Sequence, residues 1–148
     1  MLVERVTAGG GGEANHEMMI ERFWLGWAGI SGAVAVAAEA AARHLAAGDP
    51  HRLELAATAA RYGLVHSAAL FVAAMFAVSW RSGRGRRWLM AGGWAFAGGL
   101  ALFCGSLYVL ALGAPSQVAA ATPIGGTLFI AGWAALFVTA LVMRWPTA

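Results

Sequence analysis

Four stretches of this chain stay apolar for longer than a soluble helix requires, and nothing else in the sequence constrains the fold as tightly. They cover about residues 19–46, 53–80, 87–112 and 123–144. Crossing about 30 Å of hydrocarbon takes about 20 helical residues, and each stretch meets that length. Transmembrane strands alternate in polarity and are shorter, so continuous apolarity excludes them. The expected fold is an all-α membrane protein with four transmembrane helices in an up-down bundle. That single domain, residues 18–146, is expected to follow a flexible polar tail over residues 1–17, which holds Gly9 to Gly12.

Composition supports the bilayer as the solvent. Of 148 residues, 60% are hydrophobic and only 11% charged, where soluble domains carry about a quarter charged residues. All ten basic residues are arginines, scattered among the spans, so the pI near 10.0 does not imply a nucleic-acid partner. A single cysteine, Cys104, excludes an intrachain disulfide or a CxxC metal or redox pair. The tail carries Glu4, Arg5, Glu13 and Glu17, lacks the basic start of a secretory signal and shows no cleavage site, so the first span is expected to remain as an anchor.

Arginine placement sets the expected orientation. Arg5, Arg22, Arg81, Arg84, Arg86, Arg87 and Arg144 fall on one side, Arg43 and Arg52 on the other. Both termini are therefore expected in the cytoplasm, with the chain in a bacterial inner membrane. Trp24, Trp27, Trp80, Trp88 and Trp145 lie near span ends, as an aromatic belt would. Small residues recur every four positions at Gly29, Ala33, Ala37 and Ala41, at Ala69, Ala73 and Ala77, and at Gly93, Ala97, Ala101 and Gly105. Such stripes let helix backbones approach, and the two that contain glycine are the expected helix–helix seams.

Glu39, Arg43, His44, Arg61 and His66 form a candidate intramembrane polar cluster, since such residues are costly in lipid and often functional. Glu39 lies ten residues before the Asp49 turn and Arg61 twelve after it, so the antiparallel hairpin puts them at similar depth. Glu39 is expected to pair with Arg61, with Arg43 four residues on, or with both. His44 and His66 invite a haem reading, but their heights differ by on the order of 13 Å, too much for axial ligands of one haem. Hydrogen-bonded histidines, no metal site and no cofactor are expected.

Thr122-Pro123 looks like a helix start, a capping hydroxyl followed by proline at the first helical position. Gly125 and Gly126 leave the first N–H groups of that helix unshielded, and Ser106, Tyr108 and Gln117 are polar neighbours that could converge there. The competing expectation is that the glycines serve tight packing and that Tyr108 anchors at the outer interface.

Arg61-Tyr62 with His66, Gly105-Ser106-Leu107-Tyr108, Thr122-Pro123-Ile124-Gly125-Gly126 and Gly132-Trp133 together resemble the small membrane proteins of domain-of-unknown-function family 423, the YgdD-like and transmembrane-protein-256-like proteins. The likeness covers about residues 25–142, and His44 resembles a histidine of the family pattern. The chain departs from that pattern at Glu39 and Ala42, where the family has glycines, and at Ala57 and Gly63, where it has Glu and Gln. The family glutamate at position 57 would sit one helical turn before Arg61. The departure suggests that its counter-charge moved across the hairpin to Glu39. The resemblance implies a four-span inner-membrane protein and supplies no activity.

No nucleophile–base pair, phosphate loop or metal cluster is present, so an enzyme is the least supported class. Four spans of this length leave little interior for a substrate cavity. A non-catalytic accessory or assembly subunit of a larger membrane complex is the favoured expectation, its partners being the lipid bilayer and either another membrane protein or further copies of the chain. The alternative is a small oligomeric transporter or proton-conducting bundle using Glu39, Arg61 and His66.

Overall fold

A computed structural model describes the backbone of residues 4–45 and 49–143, and the side chains of residues 18–41 and 49–143. Helix α1 spans Glu4–Leu45 and α2 spans Pro50–Ser79. The third span is composite: α3, Arg84–Gly99, passes through a π turn, Leu100–Cys104, into α4, Gly105–Ala111. A 3-10 segment, Ser116–Ala120, leads into α5, Ala121–Val142. No strand occurs among the described residues. Four stretches are long and apolar enough to cross a membrane, Met18–Ala41, Pro50–Ser79, Arg84–Ala111 and Ser116–Val142, so the chain is a multi-pass membrane protein. The glycine-rich segment read as a flexible tail is helical from Glu4 and continuous with α1; extending an existing helix avoids the cost of a new nucleus.

Local chemistry explains the helix ends. Asp49 caps α2, its Oδ1 accepting the backbone N–H groups of His51 at 3.1 Å and Arg52 at 3.2 Å, with Pro50 at the first helical position. What reads as a breaker is therefore a start, three residues earlier than expected. Arg86 donates from Nη1 to the carbonyls of Ala77 and Trp80, both at 3.1 Å, so the start of α3 satisfies the end of α2. Gly113, at φ 95°, closes α4 in a Schellman arrangement: its N–H reaches the Leu110 carbonyl and that of Ala114 reaches Val109.

α1 packs chiefly on α2, and the third span on α5, while α2 also packs on α3 and α4. Burial follows: 44% and 39% of the most apolar windows of the second and third spans are buried, against 17% and 28% in the first and fourth. The middle pair is therefore α2 and α3–α4. Its interior is built from small residues, Ala59, Ala60, Ala73, Ala74 and Ala77 among them, while Ile30, Phe71, Ile130, Phe137 and Leu141 face outward. Close backbone approach inside and bulky apolar groups outside suit a lipid solvent.

The stripe Ala69, Ala73 and Ala77 is buried as a seam, but the glycine stripe of the first span is not. Gly29, Ala33 and Ala37 are exposed, and nothing lies within 4 Å of a Cβ built on Gly29. α1 instead buries Glu21, Trp24, Ala28 and Ala35, because the seam is made by a large knob. The Trp24 indole fills the notch at Gly93, where a Cβ would lie 2.2 Å from Cη2. Gly99 receives the Phe129 ring and Gly132 the Phe96 ring in the same way. In the third span Gly93 and Ala97 are buried, whereas Ala101 faces outward. The π turn adds a residue to its turn and rotates everything after it.

Candidate functional site

At the arginine-rich end of the bundle, α1 carries Glu21, only 2% exposed. Its Oε1 lies 3.8 Å from Nη2 of Arg86, and its Oε2 lies 3.8 Å from Nη2 of Arg81. Both distances exceed a hydrogen bond, so the attraction is Coulombic. The Arg86 side chain is 11% exposed and that of Arg81 49%, which makes Arg86 the stronger partner. Sequence reading missed Glu21. Its signal was available: a carboxylate at the start of the first span, facing the loop that carries Arg81, Arg84, Arg86 and Arg87, with Trp24 one turn on. The Trp24 indole Nε1 is buried with no hydrogen-bond partner. Trp24 and Trp27 leave the expected aromatic belt: the first is fully buried, and the second donates from Nε1 to the Ala97 carbonyl at 3.2 Å. Trp145 lies outside the described residues.

His66 is locked in the middle of the bundle. An indole N–H only donates, so Trp133 Nε1, 3.2 Å away, makes His66 Nε2 the acceptor. The proton then sits on Nδ1, which donates to the Tyr62 carbonyl at 2.8 Å. The ring stacks on Phe129 with centroids 3.6 Å apart, and Phe96 and Trp133 border it. Both nitrogens are engaged, as expected of a hydrogen-bonded bundle histidine, and neither is available as a haem ligand in this arrangement.

The outer-hairpin motif is drawn together as packing hardware. Thr122 does not cap α5: the preceding 3-10 segment carries the chain into the helix, Ala120 stands at the cap position, and Pro123 sits in the first turn. The Thr122 hydroxyl donates instead to Ser106 Oγ at 2.7 Å, and Ser106 donates to the Phe103 carbonyl at 3.0 Å. Gly125 abuts the π turn; a Cβ there would lie 2.3 Å from the Phe103 backbone nitrogen. Gly126 faces the Phe103 ring, and Gly105 is half-buried with nothing within 4 Å. Gly125 thus admits a neighbouring backbone and Gly126 borders a ring, so both serve packing at this helix start. Gln117 is exposed and does not join them. Tyr108, expected at the outer interface, turns its hydroxyl inward over Gly63. That oxygen is buried without a hydrogen-bond partner, beside a cavity of about 250 Å³ that Ser31, Cys104 and Trp27 also line.

Glu39 and Arg61, one of the two pairings expected of Glu39, do not pair with each other; the other, with Arg43, falls outside the residues whose side chains are described. Arg61 is exposed, and among the described residues it makes no ion pair. The reason is angular. Gly63 faces Ala35 of α1, and two residues turn a helix by about 200°, so Arg61 points away from α1 and from the half-buried Glu39. Equal depth did not imply a shared face. Arg43 and His44 lie outside the residues whose side chains are described. Among the described residues no group of His, Cys, Asp and Glu could hold a metal ion.

Fold and site together define a small four-span membrane protein whose interior polar groups serve helix packing. Comparison with known proteins also returns membrane proteins. A family profile matches residues 23–126, and the chain belongs to that family, described as a protein of unknown function, DUF423. It is 34% identical over 128 residues to the UPF0382 inner membrane protein YgdD of Escherichia coli, covering 85% of this chain and 95% of that one. A UPF0382 membrane protein of Haemophilus influenzae is 38% identical over 72% of this chain and 84% of its own. The Bacillus subtilis UPF0382 membrane protein YwdK is 38% identical over 57% of this chain, and that match spans 66% of its length; one from Staphylococcus haemolyticus is matched over 38%. No solved structure matches the chain.

Proposed function

We propose that this protein is a non-catalytic accessory or assembly subunit of a larger membrane complex, lying in a bacterial inner membrane with both termini in the cytoplasm. The observation that carries the reading is Arg61. It lies eleven residues along α2 from Pro50, about 16 Å, in a helix about 45 Å long. With the helix centred on about 30 Å of hydrocarbon, its Cα sits about 9 Å below the surface. An arginine facing lipid costs about 2.5–3.5 kcal/mol at the centre of a span, and less at this depth, where its guanidinium can reach toward the surface. A carboxylate on a neighbouring membrane protein at that depth would remove the penalty. The transport alternative needs a polar path through Glu39, Arg61 and His66, and it has less support: His66 spends both nitrogens on packing and Arg61 faces the perimeter.

Extraction in mild detergent followed by native-gel sizing tests the reading. The wild-type chain is expected to migrate with a much larger assembly, and Arg61→Ala to release it while Arg61→Lys retains it. A wild-type chain that runs alone, or only with copies of itself, would refute the subunit reading.

A further inference from the structure

The arginine-rich end also holds an open site. The last turn of α2, the first turn of α3 and the end of α5 enclose a cavity of about 390 Å³, lined by Ser82, Gly83, Arg84, Arg86, Val142 and Met143. A second hollow adjoins it, formed by Arg84, Arg87, Trp88 and Val142. Gly83 stands at the α3 cap position at φ 107° and supplies no side-chain cap; the Arg86 N–H turns back to the Gly83 carbonyl, which leaves those of Arg84 and Gly85 without a side-chain acceptor. Arg86 is committed to Glu21 and to the carbonyls of α2. Arg84 and Arg87 are exposed and make no ion pair among the described residues.

We infer that this cavity and the adjoining hollow together bind the headgroup phosphate of an anionic phospholipid. Arg84 and Arg87 supply paired N–H donors suited to phosphate oxygens, Ser82 a hydroxyl, and α3 its positive end. Val142, Met143 and Trp88 give the glycerol and upper acyl carbons an apolar wall where three spans reach the membrane surface. A zwitterionic headgroup carries its own ammonium, which these guanidiniums would repel, and Glu21, the acid described at this end, is buried and already paired. The site therefore selects net negative charge. Clusters of basic residues immediately beside a span attract anionic lipid at about 1 kcal/mol per residue.

The test uses the full chain in vesicles made of equal parts phosphatidylcholine and phosphatidylglycerol, withdrawn in detergent, with bound lipid counted by native mass spectrometry. Phosphatidylglycerol is expected to be retained preferentially. Arg84→Gln with Arg87→Gln should cut that preference by about 25-fold at low salt, about fivefold for each arginine. Arg22→Gln, on the exposed side of α1, should change it little. Equal retention of both lipids, or an unchanged preference in the double variant, overturns the proposal. So does equal thermal stabilisation by inorganic phosphate, which would mark a free-anion site. If the double variant does not fold, a salt series on the wild type decides. The preference must fall as salt rises, and a salt-insensitive preference overturns the assignment.

Discussion

Replacing Glu21 by Gln isolates the charge of the one carboxylate described as fully buried while keeping its shape. At 3.8 Å from Arg86, unit charges in an effective dielectric near 20 attract by about 4 kcal/mol. That loss is partly offset, because the neutral amide no longer bears the several kcal/mol of desolvation that a buried carboxylate carries. The abandoned guanidinium is not stranded: Arg86 keeps its bonds to the Ala77 and Trp80 carbonyls. The expected net loss is therefore about 2 kcal/mol, below the 3–5 kcal/mol of an orphaned buried ion. Reversible unfolding in mixed detergent micelles reads it directly. A double-mutant cycle of Glu21→Gln with Arg86→Gln should recover most of the loss as coupling. The same cycle with Arg81→Gln should give under about 1 kcal/mol, since that side chain is half exposed. A neutral Glu21→Gln, or equal coupling to both arginines, would refute the assignment of Arg86 as the dominant partner.

Further outcomes follow from the packing. Gly93→Ala drives a methyl into the Trp24 indole and should cost about 1–3 kcal/mol, less the gain of up to about 1 kcal/mol from better helix propensity. Gly29→Ala, with open space around it, should be neutral or slightly stabilising in the same unfolding assay, and the reverse order would place the seam on the sequence stripe after all. His66→Leu strands the Trp133 N–H, while the Tyr62 carbonyl keeps its helical bond, and should cost about 1–3 kcal/mol. Proton leak in liposomes should be unchanged by it, and a lowered flux would return His66 to a pathway. Ser106→Ala removes the acceptor of the Thr122 hydroxyl and should cost about 1 kcal/mol. Thr122→Val should cost a similar amount, and the double variant little more than either single change.

What could be read beforehand divides along one physical line. Span number and depth depend only on run length and rise per residue, so four helices and the similar heights of Glu39 and Arg61 are legible from the sequence. The face a residue presents depends on how each helix is rotated, which whole-bundle packing decides. That is why the Glu39–Arg61 pair failed while its depth argument stood. The glycine stripes failed for a related reason. A glycine marks a hole, but only the partner helix reveals whether a backbone fills it, as Phe103 does at Gly125, or a ring, as Trp24 does at Gly93. The π turn has no simple sequence mark, and Ala101, inside it, faces out of the expected seam. Glu21 was overlooked because it stands among the charged residues that usually surround a span's end, where solvation is the ordinary expectation.

The distribution of spent and unspent polar groups bears on where this family member acts. His66, Ser106, Thr122, Trp27 and Arg86 each use their hydrogen bonds to hold one helix to another or to close a turn. A pathway needs groups that can exchange partners, and these would have to break the bundle's own contacts to do so. Tyr108, with its unpartnered hydroxyl, shares its cavity with Ser31 and Cys104 but makes no hydrogen bond to either. The guanidiniums without an ion-pair partner among the described residues are all exposed: Arg61 along the second span, and Arg22, Arg84 and Arg87 toward the arginine-rich end. Chemistry available to other molecules is thus on the outside, at two depths. A lipid anchored at Arg84 and Arg87 and a protein carboxylate at Arg61, which is nearer the other end of α2, would engage the same hairpin toward opposite membrane surfaces. Combining Arg61→Ala with the Arg84→Gln and Arg87→Gln changes separates them. Independent engagement gives losses of assembly and lipid preference that simply add, whereas a lipid that bridges to the partner makes assembly itself sensitive to the surface pair.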